Sequence, residues 1–125
     1  MQKVRPETNQ RIIVCGGRDW SDLETIASVL IRYDPVKVTI IQGEARGADY
    51  IAKNIALSLG FSVEGYYADW KRLGKSAGPE RNKEMLDSGT DLVIAFPDPT
   101  SRGTWDMVRR AMAAGVEVEV INATD

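Results

Sequence analysis

The chain predicts a three-layer α/β/α domain on a five-stranded parallel sheet, and three features carry that expectation. Short apolar runs alternate with amphipathic stretches along the whole length. Each of the first, second and fourth runs exits into a turn rich in glycine or proline. The runs also differ in polarity, which assigns them places in the sheet.

The elements follow in order. Residues 11–15 (RIIVC) form the first strand, which leaves through the tight turn 16–20 (GGRDW). Ser21-Asp22-Leu23-Glu24 has the spacing of a capping box, with the Ser21 oxygen accepting a backbone N–H and Glu24 reaching back. Apolar positions 23, 26, 27, 30 and 31 make a helical stripe. Asp34-Pro35 stops it, because a residue before proline resists the helical region. Residues 38–41 are the second strand, running into 42–49 (QGEARGAD). The next helix buries 48, 51, 52, 55, 56 and 59 and ends at Gly60, which suits the left-handed position after a helix.

Residues 62–67 read as a third strand with polar interruptions, followed by 68–75 (ADWKRLGK), a loop too charged and aromatic for a mere connection. Pro79 falls in the tolerant first turn of a further helix, and Gly89 closes it. The run 92–96 (LVIAF) has the pattern of a central strand buried on both faces. After the loop 97–102 (PDPTSR), Gly103-Thr104 opens a helix with apolar positions at 104, 107, 108, 111 and 112. Gly115 caps it, and 116–121 (VEVEVI) is the last strand. Residues 1–10 read as a loose polar arm and 11–125 as one domain without repeat or linker.

Strands 1, 2 and 4 are apolar throughout and belong in the middle; strands 3 and 5 carry polar positions and belong at the edges. The order 3-2-1-4-5 satisfies both and puts the topological switch point, where a ligand crevice is expected, between strands 1 and 4. Glycine-bearing turns 16–20, 43–49 and 97–106 then converge on one end of the sheet. A strand, a small-residue turn and a helix start direct backbone N–H groups and the positive end of the helix dipole outward, and a phosphate is the natural occupant. The plainer alternative is an ordinary strand-to-helix connection with a glycine for clearance.

Composition narrows the chemistry. At 125 residues, 43% hydrophobic and 27% charged, the chain suits one globular domain. No apolar run approaches bilayer-spanning length, and residues 1–10 lack the apolar core of a signal peptide. A single cysteine, Cys15, leaves no intrachain disulfide and fits a reducing cytoplasm; it reads as a small hydrophobe at the end of a buried strand. The formal charge of −2 weighs against a broad nucleic-acid footprint. Histidine is absent, which removes the commonest general base and zinc ligand, so no metal site is expected. Any reaction must run on Asp, Glu, Arg, Lys, Ser, Thr or Tyr.

Four motifs together are specific: 16–20 (GGRDW), 43–49 (GEARGAD), 68–70 with 74–82 (ADW, GKSAGPERN) ahead of Met85, and 95–97 (AFP) with 102–107 (RGTWDM). In this order they resemble the YspA/YpsA-related SLOG family, over roughly residues 11–121. The resemblance implies a Rossmann-like fold in the superfamily of the LOG phosphoribohydrolases and the DNA-processing protein DprA. It implies a nucleotide or nucleotide derivative, such as a nucleotide sugar or an NAD- or ADP-ribose-like molecule, as ligand, with no cofactor. LOG enzymes carry Pro-Gly-Gly-x-Gly-Thr-x-x-Glu. Here the double glycine is missing, the loop between Pro97 and Gly103 is longer by two residues, and Met107 stands at the glutamate position with Asp106 before it. Of the LOG Arg-Lys-x-x-Met element, Arg81 and Met85 survive while Asn82 replaces the lysine.

With the resemblance in hand, individual residues carry paired readings. Gly16 and Gly17 admit a phosphate to the backbone or simply allow a turn. Arg18 clamps a phosphate or pairs with Asp19 or Asp22. Gly43, Glu44, Gly47 and Asp49 resemble a second phosphate or ribose contact, although Asp49 also suits the first turn of a helix. Trp70 and Trp105 stack on a base or serve packing. Asp69 positions Arg81, touches a sugar hydroxyl, or caps a loop. Lys75, Arg81 and Asn82 flank the 77–79 turn, with Arg81 the leading anion contact. Pro97, Arg102, Gly103 and Thr104 complete the ligand-binding set, with capping the alternative for Thr104. Arg81 and Asp106 are the catalytic candidates should the protein hydrolyse an N-glycosidic bond. Tyr66 and Tyr67 read as packing. The expectation is a cytoplasmic, homo-oligomeric ligand sensor. A LOG-like phosphoribohydrolase and a protein-binding adaptor with a vestigial pocket stand as the alternatives.

Overall fold

The computed structural model describes residues 10–123. The arm expected over 1–10 lies outside the described residues except for Gln10, which opens the first strand. Strands β1 (Gln10–Gly16), β2 (Val38–Gln42), β3 (Ser62–Gly65), β4 (Leu92–Phe96) and β5 (Glu117–Val120) form one sheet in the order β3-β2-β1-β4-β5. Every pairing is parallel, as the alternation of strands and helices predicts, and the order is the one that the polarity of the runs predicts.

Side chains alternate across a strand, so the central strands feed two cores. Ile12, Val14, Ile40, Ile94 and Phe96 pack with α1 (Leu23–Leu30) and α2 (Ala48–Leu59) through Ile26, Leu30 and Ala52. Ile13, Cys15, Ile41, Val93 and Ala95 pack on the other face with Met85 of α4 (Ala77–Asp87) and with Met107, Val108 and Ala111 of α5 (Arg102–Ala113). Fully buried side chains of this size each stabilise the fold by about 1.5 to 3 kcal/mol. All five residues of β4 are buried, matching its unbroken apolar run. The edges carry ions instead: Arg11 forks onto Glu64 of β3 at 2.7 and 2.8 Å, and Arg32 meets Glu119 of β5 at 2.9 Å.

Local expectations need several corrections. The cap of α1 is Asp22 rather than Ser21, its Oδ1 accepting from the Thr25 N–H at 3.1 Å. Trp20 accounts for the shift: its ring is buried edge-on against Phe96 and its Nε1 donates to the Asp22 carbonyl at 2.9 Å, which carries the chain one residue further before the helix starts. The apolar stripes are also narrower than their spacing suggests. Leu23, Ile31, Leu59 and Met112 are exposed because each lies at or near a helix end, beyond the sheet. The segment 68–75 is partly regular: α3 (Trp70–Leu73) is a single helical turn, and a 3₁₀ turn (Gly74–Ser76) joins it to α4. The third strand stops at Gly65, so Tyr66 and Tyr67 fall beyond it.

Candidate functional site

At the carboxyl ends of β1, β2 and β4, a cavity of about 640 Å³ opens between the turns and the first turns of α4 and α5, within the range of small-molecule sites. Cys15, Gly16 and Gly17 at the end of β1, Asp49 of α2, Arg81 and Asn82 of α4, and Gly103, Thr104 and Asp106 of α5 all line it. Arg18, Trp70, Lys75 and Arg102 stand around them. Gly17, Arg81 and Gly103, from three separate segments, therefore share one hollow.

The turns are held by side chains that act on backbone. Asp98 is the main organiser. Its Oδ2 accepts from the Asp19 N–H at 3.0 Å, and its Oδ1 accepts from the Thr100 N–H at 2.8 Å and the Ser101 hydroxyl at 2.9 Å. Burial works against its ionisation, but these donors outweigh it and hold its pKa below the ordinary value. Because the Ser101 hydroxyl at the α5 N-cap is turned to Asp98, α5 begins with no side-chain cap, and its first turn lines the cavity at Gly103 and Thr104. Asp49 performs the same task in the second turn, its Oδ2 accepting from the N–H groups of Gly43 (3.1 Å) and Ala45 (3.4 Å). Burial pushes its pKa up to about 6, against the opposing pull of Arg81 and the two N–H donors.

Arg81 joins the second turn to α4. Its Nη1 donates to the Gly43 carbonyl at 2.7 Å and its Nε to Asn82 Oδ1 at 3.3 Å. Burial lowers its pKa while Asp49 raises it, and a guanidinium keeps its charge throughout. The buried Asn82 amide donates to the Gly103 carbonyl at 3.2 Å and to Asp106 Oδ2 at 3.0 Å. Asp106 Oδ2 also meets Arg110 at 2.9 Å. Cations dominate the wall: Arg46 pairs with Asp19 at 3.3 Å, whereas Arg18, Lys75 and Arg102 have no carboxylate partner among the described residues. The ion pair considered for Arg18 gives way to a contact with Trp70, whose ring centroid lies 5.3 Å from the guanidinium carbon.

Other expected site residues fall elsewhere. Gly47, Asp69 and Pro97 line neither the main cavity nor the smaller hollow beside it. Gly47 is the N-cap of α2 with φ of 81°, packed against Gly17 and Arg18. Asp69 caps α3 and pairs with Arg72 at 3.0 Å instead of holding Arg81, and Pro97 is buried. Gly43 and Glu44 line a smaller adjoining hollow rather than the main cavity. Trp105 is exposed away from both hollows. Cys15 lies in the cavity floor, buried, with its thiol pKa raised chiefly by that burial, which disfavours the thiolate.

Sequence reasoning passed over Asp98 and Ser101. The Asp-x-x-Ser spacing before a helix was the available signal, since such side chains bond to nearby backbone. It also passed over Arg46, Gly78, Pro79 and Thr100 in the wall of the main cavity, and Tyr67 beside the smaller hollow.

The sheet order, the two helical layers and a cavity at the switch point together define a Rossmann-like α/β domain. More narrowly, the chain belongs to the YspA, cpYpsA-related SLOG family, whose profile matches residues 10–73. It is 38% identical over 117 residues to the Gene 61 protein of Mycobacterium phage D29, covering 87% of this chain and 94% of that one. Its fold is similar to that in the X-ray structure of DNA processing protein A (DprA) from Streptococcus pneumoniae, with a TM-score of 0.51 and 18% identity over 88% of this chain. The chain spans 58% of that DprA chain, and the likeness is one of fold. Among the described residues, no helix is long and apolar enough to cross a membrane.

Proposed function

We propose that the cavity binds a nucleotide or nucleotide derivative and that the protein acts as a sensor of it. The observation that carries this reading is the convergence of Arg18, Arg81 and the uncapped first turn of α5 on one hollow of about 640 Å³. Guanidinium groups and free helix amides are the donors that a phosphate takes. Trp70 stands at the same hollow as a stacking face for a base.

Binding without turnover fits the acids better than hydrolysis does. Met107, at the LOG glutamate position, is fully buried in the core, and Asp106 is held by Asn82 and Arg110. A thermal-shift panel of AMP, ADP-ribose, NAD and cyclic nucleotides tests the reading. A true ligand at a hundredfold over its Kd adds about 2.7 kcal/mol to stability. Arg18→Ala and Arg81→Ala should each weaken that binding. A flat response to every compound at millimolar concentration overturns the proposal. Release of free base from a nucleoside monophosphate, lost in Asp106→Asn, would replace it with the phosphoribohydrolase alternative.

A further inference from the structure

Beside the main cavity lies a second hollow of about 360 Å³, lined by Gly43, Glu44, Tyr67 and Ala68 in addition to residues that belong to both. The shared residues include Arg18, Arg46, Arg81 and Trp70. Three guanidinium groups therefore stand where the two spaces meet, and an aromatic ring is available to each. We infer that the smaller hollow is a second base-binding subsite, so that the ligand is a dinucleotide. One nucleoside occupies the main cavity, the joining phosphates lie at Arg18 and Arg81, and a second aromatic base stacks on Tyr67. This rests on the nucleotide reading above and extends it.

Two observations beyond the shape support the assignment. Tyr67 is 76% exposed, a poor place for a large aromatic side chain that serves packing, whereas its neighbour Tyr66 is partly buried against the core that holds Ile41 and Met85. An exposed ring on the rim of a cation-lined hollow is the arrangement that stacks on a base. Glu44 is the one non-glycine residue with positive φ (56°) among the described residues. Its backbone is held there by side-chain bonds, its N–H to Gln42 Oε1 at 2.7 Å and its carboxylate to Lys53 at 2.9 Å. Such a conformation is costly for a residue with a Cβ and is kept where neighbouring groups impose it, most often beside functional sites. Here it shapes the wall of the hollow.

The test compares ADP with a diadenosine diphosphate, measured by calorimetry on the intact protein and on Tyr67→Ala and Tyr67→Phe. Stacking on one base is worth enough to expect the dinucleotide to bind wild type about tenfold tighter or more than ADP. Tyr67→Ala should erase that advantage while leaving ADP affinity unchanged, and Tyr67→Phe should retain it. Tyr67 is exposed, so both variants should fold. Equal affinity of the two compounds for wild type, or an advantage that survives Tyr67→Ala, overturns the second subsite and leaves mononucleotide binding standing. Failure of both compounds to bind also overturns the second subsite, and together with a flat response to AMP, ADP-ribose, NAD and cyclic nucleotides it removes the nucleotide reading itself.

Discussion

The guanidinium of Arg81 lies directly on the backbone of Gly43: Nη1 donates to the Gly43 carbonyl at 2.7 Å, and a Cβ at that glycine would come within 2.9 Å of three guanidinium atoms. The glycine of the second turn thus makes room for a side chain of this protein, not for a ligand. The arginine reaches the wall of the main cavity over the space that the missing Cβ leaves.

Gly43→Ala should separate function from fold. The obstructed atoms are the far end of a flexible side chain, which can swing away at little cost, so stability should change by less than about 1 kcal/mol. The displaced guanidinium would leave the proposed phosphate position, and a charge-assisted contact of this kind is worth about tenfold in affinity or more. Denaturant unfolding and ADP titration measure the two effects. Unchanged affinity would mean that the position of Arg81 is immaterial to binding.

Gly16→Ala should behave in the opposite way. A Cβ there would meet the Phe96 carbonyl and the Ala48 methyl, neither of which can move without shifting β4 or α2. Overpacking against backbone should cost about 1 to 3 kcal/mol or more. Gly17→Ala would collide with the Asp98 side chain, and Asp98→Ala should relieve part of that collision. A double-mutant cycle on Gly17 and Asp98 reads the coupling, and strict additivity of the two changes would contradict the contact.

Gly103 is the instructive exception, since a Cβ there meets nothing within 4 Å even though the residue lines the cavity. Alanine is the better helix former, so Gly103→Ala should stabilise the protein by about 0.5 to 1 kcal/mol. An added methyl on this cavity-lining residue should weaken nucleotide binding. A rise in Tm with no loss of affinity would place the ligand away from the start of α5.

Asp49 should leave a signature in the pH dependence of stability. Its carboxyl has an ordinary value of 3.8 and is raised to about 6 in the folded protein, chiefly by burial. Between those values the folded state holds a proton that the unfolded chain has released, so stability falls as pH rises through the window and levels off above it. Asp49→Asn lacks this titration. The stability of wild type relative to the variant should therefore decline from pH 4 to pH 7, by up to about 3 kcal/mol. Urea unfolding of both proteins at pH 4, 5, 6 and 7 checks this, and a wild-type stability that rises relative to the variant with pH would contradict the burial of Asp49.

The strand order was legible because burial on both faces leaves an unbroken apolar run, as in Leu92–Phe96, whereas an edge strand keeps charge, as Glu64 and Glu119 do. Gly60 at the end of α2, with φ of 92°, was legible for a similarly local reason. The cap at Asp22 was not, because it depends on where the Trp20 ring finds Phe96, a residue on another strand.

From its own order of residues, then, this protein's fold class, its family and the sheet edge where the motifs gather could be read, since each depends on periodicity or on runs of neighbouring residues. Folding in three dimensions decided what each motif residue is for. Gly16, Gly17, Gly43 and Gly103 look alike along the chain, yet a Cβ on the first three would meet Phe96, Asp98 or Arg81, whereas around Gly103 the space is open. The physical reason is that close approach between distant segments is set by strand register and helix packing, which a pattern of neighbours does not record.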